Sequence, residues 1–136
     1  MSLREKSAWI TLVSVLICFG AYFGALALGH VRGFHSLFLL LICGIALGLL
    51  QLGLHLLAAL TTPKDGRAPK DERESLIQWR AHTLGYYVLM GMVLALIVPV
   101  HFSLSAIDMM NFALLGVVVA SLIVSVAQIV MFRRGA

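Results

Sequence analysis

The protein has 136 residues, of which 61% are hydrophobic and 12% charged, with a formal net charge of +4 and a mean hydropathy of +1.01. A soluble domain carries about 25% charged and about 45–50% apolar residues, so a water-soluble globule of this composition would lack polar side chains to cover its exterior. The basic residues lie on short flanks rather than in a nucleic-acid-binding patch, and two cysteines do not make a disulfide framework. An integral membrane protein remains.

A hydrocarbon core about 30 Å thick needs roughly 20 apolar residues in a helix, and four stretches meet that length. The first runs from about Ala8 to Leu28 and contains no charge. Its basic start at Arg4 and Lys6 and the Ala25-Leu26-Ala27 triplet invite comparison with a secretory signal. The apolar run, however, exceeds the usual h-region of about 7–15 residues, and it is read as a span. The second stretch runs from about Leu37 to Leu60 and is interrupted by Gln51 and His55. The third runs from about Ala81 to Val100, with Pro99 and His101 marking its end, and the fourth from about Met109 to Phe132. In lipid every backbone N–H and C=O must be satisfied inside the protein, which makes continuous runs of this length helices. The expected fold is all-α: one membrane domain over residues 1–136, a four-helix bundle with a cytoplasmic loop at 61–80.

Positive charge sets the orientation. Arg4, Lys6, Lys64, Arg67, Lys70, Arg73, Arg80, Arg133 and Arg134 fall on one side and Arg32 alone on the other. Both termini and the central loop are therefore expected in the cytoplasm. Cys18 and Cys43 sit at different depths, so a disulfide, which needs Cα atoms within about 7 Å, is not expected.

Without a hydrophobic drive between helices in lipid, small residues must carry the packing. Candidate seams are Gly20 and Gly24 with Ala27, Gly44 and Gly48, and Gly116 with Ala113 and Ala120, while Gly85 and Gly91 form a less regular pair. A seam of this kind serves either packing within the chain or homodimerisation.

In the second span Gly44, Gly48, Gln51 and His55 share one helix face. In the third, Asp71 followed by Glu74 has the pattern of a capped helix start, so that helix is expected to begin near Asp71 and to extend into the cytoplasm before entering lipid. Asp71, Glu74, Ser75, Gln78, His82 and Tyr86 then share a face, with Arg73 and Arg80 opposite and Trp79 suited to the interface. Gln51, His55, Gln78, His82 and Tyr86 form a candidate polar intramembrane cluster, and Asp71, Glu74, Ser75 and Gln78 a candidate docking face. His55 and His82 could ligate a metal or haem, but a zinc site wants three or four ligands. A hydrogen-bonded structural cluster is the favoured reading, and no cofactor is expected. His30, His35, His101 and Asp108 gather at the outer loops, where exposed interfacial residues are a better account than a weak metal site.

The run Asp71-Glu72-Arg73-Glu74, continued by Ile77, Arg80-Ala81 and Gly85-Tyr86, resembles a segment of small prokaryotic four-span membrane proteins known only as a domain of unknown function. The resemblance covers this loop-to-helix stretch and the four-span layout. It implies a multi-pass protein of a bacterial or archaeal cytoplasmic membrane and carries no activity that could be transferred.

No nucleophile–base pair, phosphate loop or intramembrane carboxylate is evident in the sequence. The expected role is a non-enzymatic scaffold, regulatory or partner-binding module, in contact with the lipid bilayer, a second copy or another protein, and not nucleic acid. A small dimeric transporter is the alternative, with His55 in place of the carboxylate that proton-coupled export uses; metal or haem binding by His55 and His82 is third.

Overall fold

The structure is a computed structural model and describes residues 3–30, 33–61 and 71–134. Among the described residues five helices follow one another: α1 (Leu3–Ala27), α2 (Phe34–Thr61), α3 (Glu72–Ala95), the short α4 (Ile97–His101) and α5 (Ala106–Arg134). No strand occurs among these residues. Three of these helices are long and apolar enough to cross a membrane, over Arg4–Ala27, His35–Thr61 and Ala106–Arg134. Lys64, Arg67 and Lys70, with residues 62–70 of the expected 61–80 loop, and Arg32 of the outer connection lie outside the described residues.

The chain divides into two compact units, Met1–Lys70 and Asp71–Ala136. In the first, α1 packs against α2. The buried residues of α1 are Ala8, Ser14, Val15, Cys18 and Tyr22. Ala8, Val15 and Tyr22 are seven apart, and Cys18 falls between them at the complementary heptad position, so the seam has the period of two left-handed supercoiled helices. From α2 it receives Ser36 and Cys43. Both cysteines are free thiols.

Gly29 ends α1. It adopts φ +72, a conformation open to glycine because it has no Cβ. The Gly29 amide then donates to the Leu26 carbonyl and the His30 amide to the Ala25 carbonyl, both at 3.1 Å. These two bonds make a Schellman stop. Gly33, at φ +63, precedes α2, and its carbonyl accepts the Ser36 amide at 3.1 Å.

In the second unit α3 packs against α5. Ile77, Ala81 and Gly85 of α3 are buried, as are Asn111, Gly116, Val118, Ala120, Ser125 and Ile129 of α5. The run 81–100, expected as one span, is broken. α3 ends at Ala95, and the Leu96 amide turns back to the Val93 carbonyl at 3.1 Å. Pro99 supplies the physical reason: it has no N–H for the carbonyl four residues earlier, that of Ala95. The charges of the first two turns, together with His82, Thr83, Tyr86 and Tyr87, dilute the rest of α3, which is not among the helices apolar enough to cross.

The α3 start falls where the sequence places it, with Asp71 at the N-cap in an extended conformation (φ −71, ψ 149), but the Asp71 side chain makes no capping bond. Its backbone carbonyl accepts the Ser75 amide at 3.0 Å, and Glu72 and Glu74 place negative charge in the first turn, where the helix dipole favours it. The side-chain cap is instead at α5. The Asp108 amide donates to Ser105 Oγ at 3.2 Å, and the Ser105 hydroxyl donates to Asp108 Oδ2 at 2.6 Å.

The expected glycine seams fare unequally. A Cβ added at Gly116 would lie 2.9 Å from Met92 Cβ, and one at Gly85 would run into Val124 Cγ2. At Gly20, Gly24, Gly44 and Gly48 an added Cβ would meet nothing within 4 Å. The α1–α2 pair does not close on its glycines. Its contact face is the heptad through Ala8, Val15 and Tyr22, and Gly20 and Gly24 lie off that line.

Candidate functional site

Both ring nitrogens of His55 are engaged. Its Nδ1 lies 2.8 Å from the Gln51 carbonyl oxygen, one turn earlier on α2, and its Nε2 lies 2.8 Å from Ser7 Oγ on α1. A carbonyl oxygen can only accept, so Nδ1 must carry a proton. In the neutral ring Nε2 is then a bare acceptor, and the Ser7 hydroxyl donates to it. Ser7 and His55 are both half-buried. Gln51 therefore orients His55 through its backbone carbonyl rather than through the amide side chain that the stripe of polar residues suggested.

Ser7 escaped the sequence reading, although a signal was available. In an antiparallel hairpin, residues equally distant from the turn face one another, and Ser7 and His55 lie at equal distances from position 31. At the other end of the hairpin Tyr22 and Ser36 meet near the turn, although they are nine and five residues from position 31. Both are essentially buried, at 0% and 1% exposure; their side chains hydrogen-bond, and Ser36 Oγ also donates to the Gly33 carbonyl at 2.7 Å. Between these locks Ser14 is fully buried, and its Oγ has no hydrogen-bond partner among the described residues.

Gln51 and His55 belong to the first unit, and Gln78, His82 and Tyr86 to the second. In the second unit His82 repeats half of the arrangement seen at His55. Its Nδ1 lies 2.7 Å from the Gln78 carbonyl, one turn earlier on α3, so Nδ1–H is again the donor. The His82 ring is exposed, as is Tyr86, whose ring meets Tyr87 edge-on with centroids 5.8 Å apart. Of the candidate docking face, Asp71 and Ser75 are exposed, while Glu74 and Gln78 are half-buried beside Ile77. Leu76 and Trp79 stand out of the same segment at 42% and 71% exposure.

Three further hydroxyls bond to the backbone of their own helix. Thr83 donates to the Trp79 carbonyl at 2.9 Å, Ser121 to Val117 at 2.8 Å and Ser125 to Ser121 at 3.0 Å, a pattern that hides a hydroxyl within one helix. Among the described residues no three His, Cys, Asp or Glu side chains are grouped to hold a metal ion. An apolar groove of about 410 Å³ lies along the α3–α5 pair, lined by Leu84, Leu122, Ile123, Val126, Ala127, Val130 and Met131. No protein-family model, curated protein or solved structure matches the chain.

Proposed function

We propose that the protein is a non-enzymatic multi-pass protein of a prokaryotic cytoplasmic membrane that works by binding a partner through the polar start of α3. The orientation rests on the nine-to-one distribution of cations in the sequence. In that reading α3 and α4 together form the third crossing.

The observation that carries the reading is the two-sidedness of α3 before it enters lipid. Ile77 and Ala81 bury one side, on the face that packs on α5. Asp71, Glu72, Ser75, Leu76 and Trp79 leave the opposite side exposed, and Arg73 and Arg80 are exposed on its flank, nearer Ile77. An aromatic ring, a leucine and charges of both signs on a helix already held rigid by α5 form a surface of the kind that anchors a protein partner. Its ordering cost is met before the partner arrives.

A photo-crosslinker placed at Ser75, Leu76 or Arg80 in cells tests this. One protein adduct of the same mass from all three positions, weakened by charge reversal at Glu72, is the expected result. Adducts to lipid alone, or none, would remove the reading.

A further inference from the structure

The geometry points to Ser7 as an activated hydroxyl that accepts an acyl group, with His55 as its base. Three features of the first unit support this. First, hydroxyl and imidazole are in hydrogen-bond contact across two helices, at 2.8 Å, which is the reach general-base activation of a nucleophile requires. Second, the ring is held in the useful tautomer: the Gln51 carbonyl, 2.8 Å from Nδ1, takes the only ring proton of neutral imidazole and leaves the Nε2 lone pair facing Ser7 Oγ. Third, the pair stands where an amphiphile would present a carbonyl. Arg4 and Lys6 flank Ser7 on α1, while Leu52 and Leu56 on α2, on either side of His55, are 69% and 60% exposed. Cations beside an apolar helix surface suit a donor with an anionic or polar head and a fatty chain, such as an acyl thioester.

The transfer balances without an oxidant or metal. Ser7 Oγ attacks the thioester carbonyl carbon, an O–C bond forms and the C–S bond breaks. The serine proton passes to His55 Nε2 and then to the departing thiolate. The product is an ester at Ser7 and a free thiol, one acyl group per chain. No turnover is needed, and the step is independent of the docking role of α3.

The charged groups near the pair are Arg4, Glu5 and Lys6 of α1; between His35 and Thr61, α2 has no ionisable side chain besides Cys43 and His55. Only a ring with a bare Nε2 can take the hydroxyl proton.

The test uses the full chain in lipid nanodiscs, a decanoyl thioester of a small thiol as the probe, and intact-mass and peptide mapping as the readout. The wild type should gain one decanoyl group on Ser7, removable by hydroxylamine as an ester is. Ser7→Ala should gain none, His55→Gln should react about 100-fold more slowly, and Ser14→Ala should react as the wild type does. An unmodified wild type, a hydroxylamine-resistant adduct on Lys6, or a His55→Gln variant that reacts as fast as the wild type would overturn the assignment. The first two need no variant to fold.

Discussion

The two helix pairs solve one problem differently. α1 and α2 meet along a heptad seam closed at each end by side chains bonded across the pair, Ser7 with His55 and Tyr22 with Ser36. α3 and α5 meet through missing side chains: Gly85 receives Val124 and Gly116 receives Met92. Their hydroxyls at Thr83, Ser121 and Ser125 stay within their own helices. Inside lipid, where apolar association is not driven by water, close packing and interhelical hydrogen bonds are two of the forces that hold helices together. The first unit shows the hydrogen bonds at its seam and the second the close glycine contacts.

Glycine substitutions should separate the two units most sharply. Gly116→Ala and Gly85→Ala should each destabilise the α3–α5 pair by about 1–3 kcal/mol, as overpacking does. Gly116 should be the more sensitive, because the Met92 Cβ it meets cannot move without its backbone. Gly44→Ala and Gly48→Ala should leave stability unchanged or raise it by up to about 1 kcal/mol through helix propensity. Denaturation in mixed micelles, followed by helix circular dichroism, measures all four. If Gly48→Ala proved as costly as Gly116→Ala, the contrast between the pairs would fail.

The hydroxyls of the first unit come next. Tyr22→Phe should cost about 1 kcal/mol, the net value of a hydrogen bond, with more lost if Ser36 is stranded. Ser14→Ala should be neutral or stabilising by about 1 kcal/mol, since it removes a buried hydroxyl without a partner. Opposite signs at two buried hydroxyl-bearing residues of one helix, read in the same assay, would confirm that the lock at Tyr22 holds the hairpin and that Ser14 does not.

The smallest effect concerns the helix starts. Ser105→Ala should destabilise the first turn of α5 by about 1 kcal/mol, as loss of an N-cap does. Asp71→Ala should cost only a few tenths, because what it removes is a favourable charge near the α3 dipole rather than a capping bond. Hydrogen exchange of the first-turn amides of α3 and α5 compares them directly. The sequence contains both signatures, Asp71 with Glu74 and Ser105 with Asp108, and nothing in the residue types alone says which closes.

The same division runs through the molecule. Helical class, the membrane-length runs at 8–28, 37–60 and 109–132 and the start of α3 at Asp71 were legible from the sequence, whereas the break of the 81–100 run after Ala95 was not. The legible features follow from local rules: the length of an apolar run and a helix-start pattern. Which face each helix turns to its neighbour was not legible. Gly20, Gly24, Gly44 and Gly48 have the same small-residue spacing as true contact seams, yet the side chains of α1 and α2 meet elsewhere. Ser7 and Ser14 are the same residue type on the same helix, and only the register of the hairpin tells them apart. One has a histidine opposite and the other has no partner, and that difference exists only when two distant stretches are brought into register. A side chain's type is a property of the chain, but its partner depends on helix rotation and relative height, which the summed packing of the whole pair decides.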